Sequence, residues 1–216
     1  MEIGILGGTG PAGRGLAARL AASGVGVVLG SRDERRAELI AGELSLSLPK
    51  GAIGVEGASN EEAARAEIVV VATPWESTTS VITPLEPLLV GKVVISMVNA
   101  LQKEGREMLA LIPPRGSVAA TIQATLPQSL VAAAFHHLPA SEMLNLDSGL
   151  SADVLVCSDH REAIDKTIAL VDRMEGLRGL NAGSLHQAMA IEAFTAVCIT
   201  VNIASRAHSS VRMSGI

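Results

Sequence analysis

Three glycines near the start of the chain constrain its fold more than any other feature. Gly8, Gly10 and Gly13 have the spacing G-x-G-x-x-G and lie between an apolar run at residues 2–6 and a segment at residues 15–23 with helical periodicity. In this strand–turn–helix context the motif predicts a dinucleotide site. We predict that Gly8 permits the turn, that Gly10 lets the backbone approach a pyrophosphate, and that Gly13 lets the helix pack on the strand. The amides at the helix N-terminus would then bind the phosphates.

The end of the second apolar run, residues 25–30, indicates which dinucleotide binds. NAD sites usually carry an acidic residue about 20 residues beyond the glycines. Here the run is followed by Ser31 and Arg32, with Arg35 and Arg36 in the next helical turn. A carboxylate would repel a ribose 2′-phosphate, whereas a guanidinium binds it through charge-assisted hydrogen bonds. One such contact is worth about 1.5–3 kcal/mol, or roughly 10- to 150-fold in affinity, so the segment predicts NADP rather than NAD.

The composition argues against several other classes of protein. The chain has 216 residues with a formal net charge of −5, and its aromatic residues are two Phe and one Trp. An acidic surface with so few stacking groups is not expected to bind nucleic acid. Cys157 and Cys198 are isolated in the sequence, which is typical of buried thiols in a reducing compartment. Because no signal peptide is recognisable either, we expect a cytoplasmic protein.

Apolar runs and helical periodicity alternate along most of the chain. After the glycine turn, strands are predicted at residues 25–30, 52–56, 68–72, 92–96, 130–135 and 153–157, and helices at residues 33–48, 61–66, 117–126 and 161–174. Asn60 is predicted to cap the short helix that follows it. The alternation predicts an α/β protein with a doubly wound, mostly parallel, Rossmann-type sheet. We assign residues 1–139 to the dinucleotide-binding domain and residues 140–216 to a smaller, largely helical part.

Ligands of a doubly wound sheet bind outside the carboxyl ends of its strands. The segments expected at this edge are residues 7–12, 31–32, 73–75, 97–99 and 135–139. A dehydrogenase of an alcohol or imine would need an acid–base group near the reacting carbon, and the candidates are His136, His137, Asp147 and Glu192. Neighbouring residues of an extended segment point in opposite directions, so we expect only one of the two histidines to face the site. A metal is not expected, because no third ligand recurs at a useful spacing.

The longest apolar tract, residues 188–204, predicts a buried helix. Glu192 and Asn202 interrupt the tract, and it is shorter than the roughly 20 residues that a membrane-spanning helix needs. Its apolar character on nearly all sides favours burial in the core or at a subunit contact. We therefore predict a homodimer that does not associate with membranes.

Motifs along nearly the whole chain resemble one known family, the NADPH-dependent reductases of the deazaflavin coenzyme F420. They lie at residues 5–16, 30–32, 73–76, 135–140, 156–159, 176–178 and 181–185 and around Glu192. No single motif is specific, but their combination and order are. The resemblance implies reversible hydride transfer between NADPH and coenzyme F420, with the two rings stacked in the crevice. No catalytic side chain is predicted, because the deazaflavin accepts the hydride at a ring carbon and aligning the rings provides most of the rate.

The resemblance also implies roles for individual residues. Thr9, Gly10, Ser31, Arg32 and Arg36 would bind the NADP phosphates. Pro74, Val98 and Ala140 would flank the nicotinamide, and His136 and Leu138 would contact the deazaflavin. The full set of predicted cofactor-binding residues is Gly8, Thr9, Gly10, Pro11, Ala12, Gly13, Ser31, Arg32, Arg36, Pro74, Val98 and Ala140. Residues 140–216 would complete the pocket for the second substrate and the dimer, and Arg206, His208 and Arg212 are candidates to bind the acidic tail of that coenzyme.

Two other functions remain open at this point. A reductase of a small imine or keto acid could use the same dinucleotide-binding domain, but it would need His136 or His137 as an acid and should show a sharp pH dependence. A non-catalytic sensor would bind NADPH tightly without turnover.

Overall fold

An eight-stranded sheet forms the centre of the computed structural model, which describes residues 1–216. The strands of the protein are β1 (Glu2–Leu6), β2 (Gly26–Ser31), β3 (Val55–Ser59), β4 (Ile68–Val71), β5 (Val93–Ser96), β6 (Leu101–Glu104), β7 (Glu107–Ala110), β8 (Leu130–Ala133), β9 (Ala152–Ser158) and β10 (Leu177–Asn181). β6 and β7 form a separate hairpin, and the other strands have the spatial order β10-β9-β8-β5-β4-β1-β2-β3.

The strand order reverses between β1 and β4. From β1 the chain builds outward through β2 and β3 on one side, and then through β4, β5 and β8 on the other, with all these strands parallel. β9 runs antiparallel to β8, and β10 is parallel to β9. The predicted doubly wound, mostly parallel fold is therefore confirmed. Its topology directs a ligand to the crevice at the β1/β4 reversal.

Helices cover both faces of this sheet. They are α1 (Pro11–Ala22), α2 (Glu34–Ser47), α3 (Asn60–Ala63), α4 (Thr78–Ile82), α5 (Glu86–Leu89), α6 (Val118–Thr125), α7 (Ala140–Leu144), α8 (Arg161–Val171) and α9 (Ala188–Ser205). In β4, Ile68 and Val70 belong to the core on one face of the sheet, and Val69 and Val71 belong to the core on the other. Burial on both faces explains why this strand is an uninterrupted apolar run.

The third strand lies at Val55–Ser59 rather than at residues 52–56. It pairs Val55 with Val27 of β2. A Cβ at Gly57 would lie 2.3 Å from the backbone of Ala37 in α2, so the strand carries a glycine where the helix packs against it. This glycine removes the apolar pattern by which sequence analysis recognises strands. The predicted cap is also wrong, because the Oγ of Ser59, not the side chain of Asn60, accepts the hydrogen bond from the Glu62 amide (3.1 Å).

Residues 140–216 contribute the helices α7, α8 and α9 and also two strands, β9 and β10. β9 and β10 extend the same sheet that residues 1–139 begin. β10 was not predicted, because Arg178 and Gly179 break its apolar pattern. The hairpin of β6 and β7, which turns at Gly105, was also not predicted. It packs on α9, where the Met108 amide donates to Thr200 Oγ1 at 2.9 Å.

The first helix fixes the position of α7, and with it the position of Ala140. A Cβ at Gly15 would lie 2.7 Å from Met143 Cβ and 3.0 Å from the Ala140 carbonyl oxygen, so the two helices are in direct backbone contact. The buried Arg19 side chain donates hydrogen bonds to the carbonyl oxygens of Glu142, Met143 and Asn145. These bonds satisfy the carbonyl groups at the end of α7 and join it to α1.

A buried ion pair holds the C-terminal tail, residues 206–216, against the sheet. Asp153 of β9 is fully buried, and its carboxylate accepts hydrogen bonds from Arg178 of β10 (2.7 and 2.8 Å) and from the Met213 amide (2.6 Å). Arg178 also donates to the carbonyl oxygens of Met213 and Ile216. The hydrogen bonds from Arg178 lower the pKa of Asp153 to about 2.

Asp153→Asn is expected to lower the free energy of unfolding at pH 7 by about 3 kcal/mol, since it removes the charge of a fully buried carboxylate that accepts hydrogen bonds from Arg178 and the Met213 amide. For a chain of this size the corresponding decrease in Tm is roughly 6–12 °C. The pKa of Asp153 is lower in the folded than in the unfolded protein, so its stabilisation is present above pH 4 and is lost as the pH falls through 2. The difference in Tm between the two proteins should therefore shrink between pH 4 and pH 2.

A thermal-unfolding series in this pH range checks the expectation. Asp165→Asn is the matched control, because Asp165 pairs with Arg161 on an exposed helix surface and such pairs contribute little. An equal effect of the two substitutions would contradict the role of the buried pair.

Candidate functional site

A cavity of about 680 Å³ opens at the carboxyl end of the sheet, where the strand order reverses between β1 and β4. The segments that follow β1, β2 and β4 meet around it, as the topology predicts. Its lining includes Gly7, Thr9, Gly10, Pro11, Ala12, Ser31, Arg32, Asp33, Arg36, Asn60, Ala72, Thr73, Pro74, Ser77 and Val81.

Glycine occupies the positions of the first turn for different structural reasons. Gly7, rather than Gly8, adopts a left-handed backbone conformation (φ +67°), so the predicted role of Gly8 in the turn belongs to Gly7. A Cβ at Gly8 would lie 2.6 Å from Leu29 Cδ1, and one at Gly13 would lie 2.6 Å from the Gly8 carbonyl oxygen. A Cβ at Gly10 would approach no protein atom more closely than 3.9 Å. The fold therefore requires Gly7, Gly8 and Gly13, whereas at Gly10 the space is left open on the cavity side.

Asn60 is a cavity residue that sequence analysis misassigned. Its Oδ1 accepts a hydrogen bond from the Gly7 amide at 3.0 Å and so holds the glycine turn to the end of β3. Arg14 adds a second brace, since its Nε donates to the Thr9 carbonyl oxygen at 2.8 Å. The signal that could have identified Asn60 is its position directly after β3, at the ligand-binding edge of the sheet.

The end of β2 brings two guanidinium groups to the cavity. Arg32 and Arg36 both belong to its lining, and both are exposed to solvent. Ser31 is largely buried, and its Oγ accepts a hydrogen bond from the Asp33 amide (3.1 Å). Asp33 also lines the cavity, but its carboxylate caps α2 by accepting a hydrogen bond from the Arg36 amide (3.1 Å). Since an N-cap carboxylate is engaged by the helix, this acidic residue is compatible with an anion site between the arginines.

The residues predicted to flank the nicotinamide do not line one common cavity. Pro74 lines the main cavity, whereas Val98 is buried directly after β5 and does not line it. Ala140 lines a second, more open cavity of about 540 Å³ between the start of α7 and the end of α9. Arg206 and His208 line this second cavity, as expected of candidates for the second substrate. Arg212 does not line it; its side chain instead contacts Ser151 and Asp153.

The two histidines after β8 have different partners, and neither lines the two cavities described above. His136 is fully enclosed and faces Glu192 of α9, and burial lowers its pKa to about 3. His137 is also buried, and its Nε2 lies 2.8 Å from the Asp153 carbonyl oxygen. The fold therefore encloses the His136 imidazole, and its contact with a deazaflavin stays a prediction. Leu138, the other predicted contact, is partly exposed.

The main cavity contains little acid–base chemistry. Its only acidic lining residue is Asp33, and Asp147 and Glu192 lie elsewhere. No group of three or more His, Cys, Asp or Glu side chains is arranged to hold a metal ion. The arrangement is that of a site that binds a polyanion and positions it.

Comparisons with known proteins identify the family. The profile of the family described as "NADP oxidoreductase coenzyme F420-dependent" matches residues 2–100. A curated F420-dependent NADP reductase of Methanocaldococcus jannaschii is 36% identical over 208 residues, which cover 94% of this chain and 93% of that protein. The crystal structure of a putative F420-dependent NADP reductase from an Arthrobacter species is 26% identical and superposes with a TM-score of 0.81 over 99% of this chain and all of the other.

The same fold also occurs in imine reductases. The enzyme of Bacillus cereus has a TM-score of 0.62 and 18% identity over 95% of this chain, which spans 63% of the length of that enzyme. At this level of identity the likeness extends to the fold only. The sequence similarity over nearly the full length, in contrast, shows that the chain belongs to the family of F420-dependent NADP oxidoreductases.

Proposed function

We propose that this protein catalyses reversible hydride transfer between NADPH and coenzyme F420. Membership of the family supports this activity. Within the molecule, the main supporting observation is that the space beside the Gly10 backbone is open in a cavity that Arg32 and Arg36 also line. When bound, NADPH supplies the hydride and coenzyme F420 accepts it.

The residues of the main cavity suit NADP(H). The backbone of Thr9 and Gly10 and the first amides of α1 would bind the pyrophosphate, because helix N-termini attract phosphate. Arg32 and Arg36 would bind the 2′-phosphate, with the hydroxyl of Ser31 beside them. Pro74, at the end of β4, would support the nicotinamide side of the cofactor.

The second cavity is our candidate for the deazaflavin site. Ala140 and Pro139 supply an apolar wall at the start of α7, and Leu138 precedes them. Arg206 and His208 lie at the same cavity, where a guanidinium and an imidazole would attract the acidic tail of the coenzyme. The contacts of α7 with α1 bring this wall close to the glycine turn, which is where two rings must meet for hydride transfer.

The decisive assay combines purified protein, NADPH and oxidised coenzyme F420, and follows the loss of the visible absorbance of the deazaflavin. We expect rapid bleaching with NADPH, slow bleaching with NADH and no reaction with flavin mononucleotide. NADPH binding without bleaching would refute the proposal. Turnover of a small cyclic imine instead would favour an imine reductase, and a lack of turnover with every acceptor would favour an NADPH sensor.

We further propose that the protein is a homodimer joined through α9. Only one side of α9 is buried within the chain, and the other exposes Phe194 (40%), Val197 (55%) and Val201 (48%). By length and composition alone, the segment Leu185–Ser205 could also cross a membrane, and 28% of its most apolar part is buried in the chain. An unpartnered apolar stripe on a folded domain is typical of a subunit contact. Glu192 and Thr195 on the inner side favour this reading over a lipid environment.

Val197→Glu is expected to convert the dimer into a monomer, because it buries a charge in the centre of the proposed contact. Sedimentation velocity at micromolar concentration measures the change. Leu46→Glu is the matched control, since Leu46 is 90% exposed on α2 and far from α9 in sequence. A monomeric native protein, or a Val197→Glu variant that remains dimeric, would refute the proposed contact.

We also propose that the protein works in a reducing, cytoplasmic environment. The support is that Cys157 and Cys198 are both buried and both unpaired.

A further inference from the structure

A buried polar cluster joins α9 to the strand ends beside the proposed active site. Its members are Glu192 of α9, His136 in the turn after β8, and Asn99 after β5. Glu192 Oε1 lies 3.8 Å from His136 Nε2, and Asn99 Nδ2 donates to the His136 carbonyl oxygen at 3.0 Å. The His136 side chain is fully buried and the Glu192 side chain is 6% exposed. Neither residue lines the two cavities that we assign to the substrates.

The carboxylate of Glu192 is held at the N-terminus of α6. Its two oxygens accept hydrogen bonds from the Val118 amide (2.8 Å) and the Ala119 amide (3.0 Å). Ser117 provides the usual side-chain cap of the same helix by accepting a hydrogen bond from the Ala120 amide (3.0 Å). The helix therefore has two separate caps, and only the cap from Glu192 reaches His136.

The turn that carries His136 requires support from outside itself. Phe135, directly before it, is buried and has a left-handed backbone conformation (φ +68°), which is costly for a large side chain. Neither ring nitrogen of His136 has a hydrogen-bond partner within normal distance. Such strain persists only where neighbouring groups hold the backbone in place. Leu138 and Ala140, which we place against the deazaflavin and the nicotinamide, follow this turn.

We propose that Glu192 is a positioning residue for hydride transfer. Its carboxylate, fixed by the amides of α6 and 3.8 Å from His136 Nε2, favours by its charge the tautomer of neutral His136 with the proton on Nε2, and thereby holds the Phe135–His137 turn electrostatically rather than through a hydrogen bond. Through the bond from Asn99 to the His136 carbonyl, the same anchor reaches the residue after Val98. Glu192 thus fixes the relative positions of the two segments that carry Val98 and Ala140, the residues proposed to flank the nicotinamide. This positioning role rests on the proposed contacts of Val98 and Ala140.

The ionisation of Glu192 should be visible in the pH dependence of the reaction. Burial raises its pKa to about 7, although the two amides oppose this shift. The titratable groups that face it are His136, in the turn after β8, and Cys157 of β9, whose pKa is raised to about 12 by burial and by the charge of Glu192. With the pKa of His136 at about 3, neither neighbour titrates near neutrality. Protonated Glu192 loses one acceptor position, so kcat should fall as the pH decreases through 7.

The experiment compares Glu192→Gln with Ser117→Ala, which removes the other cap of α6 without touching His136. In Glu192→Gln we expect kcat for F420 reduction to fall about tenfold or more through misalignment of the rings. The Kd for NADPH should change less than about twofold, since most of its binding comes from phosphate contacts. The inflection of kcat near pH 7 should disappear in Glu192→Gln and remain in Ser117→Ala.

A second readout needs neither coenzyme. ¹⁵N-labelled imidazole signals of His136, assigned with His136→Asn, should report the Nε2–H tautomer in the native protein and in Ser117→Ala, and a changed tautomer in Glu192→Gln. The native spectrum is informative even if Glu192→Gln does not fold, because an Nδ1–H tautomer would overturn the proposal. Equal effects of Glu192→Gln and Ser117→Ala on kcat would mean that Glu192 acts only as a cap of α6. Because the spectra are recorded without coenzyme, failure of the proposed function is distinguishable from failure of this inference.

Discussion

Gly10→Val is expected to abolish NADPH binding while leaving the protein folded. The structure separates these two effects, because a side chain at Gly10 approaches no protein atom more closely than 3.9 Å. Gly10 is the N-cap residue of α1 and has an extended backbone (φ −77°, ψ 165°) that a β-branched residue adopts easily. The added atoms project into the space where a pyrophosphate must approach the backbone. We therefore expect NADPH affinity to fall more than about 100-fold, since the phosphates can no longer reach the amides of α1.

Gly13→Ala is the matched control for this prediction. A Cβ at Gly13 would lie within 2.6–2.8 Å of three backbone atoms of Gly8, so α1 would have to move away from the glycine turn. Overpacking of this kind costs about 1–3 kcal/mol, or roughly 2–12 °C in Tm for a chain of this size. Gly10→Val should cost at most about 1 kcal/mol through weaker capping.

Thermal unfolding and calorimetric titration with NADPH distinguish the two variants. The expected pattern is that Gly10→Val keeps its stability and loses binding, whereas Gly13→Ala loses stability. Tight NADPH binding by folded Gly10→Val would mean that the cavity does not hold the pyrophosphate at this turn.

The elements that could be predicted from the sequence are those that a pattern within one short segment determines. The strand at Ile68–Val71 is a continuous β-branched run, and the motif around Gly10 combines a strand, a turn and a helix, so each has a pattern that one segment carries by itself. β3 and β10 lack such a pattern, because Gly57 and Gly179 make room for the helices that precede them, α2 and α8. Their existence depends on packing partners, which no local pattern records.

The same distinction applies to the candidate site. Arg32 and Arg36 could be identified from their place after β2, since topology alone brings that segment to the cavity. The position of Asn60 after β3 could have placed it at this edge, but its role could not be predicted, because it is a hydrogen bond to Gly7, a residue 53 positions away. The position of His136 at this edge of the sheet could be predicted, but not the direction of its side chain, which the packing of α9 determines.

Arg32→Ala is expected to remove most of the preference for NADPH over NADH. The Arg32 guanidinium lies at the cavity, next to the end of β2, and faces no carboxylate within ion-pair distance, so it is available to a ligand phosphate. Loss of one charge-assisted contact costs about 1.5–3 kcal/mol, which predicts a roughly 10- to 150-fold increase in KM for NADPH. NADH lacks the 2′-phosphate, so its KM should change less than about threefold.

Arg35→Ala is the control that makes this result specific. Arg35 has the same charge and lies on the same helical turn, but it is absent from the cavity lining, in contrast to Arg36. A general loss of positive charge would affect both variants in similar measure and would weaken as the salt concentration rises. A direct contact predicts large effects for Arg32→Ala and Arg36→Ala, which both change cavity residues, and almost none for Arg35→Ala. If Arg32→Ala impaired the use of NADPH and NADH equally, the guanidinium would serve the shared part of the two cofactors, and the 2′-phosphate would have to bind elsewhere.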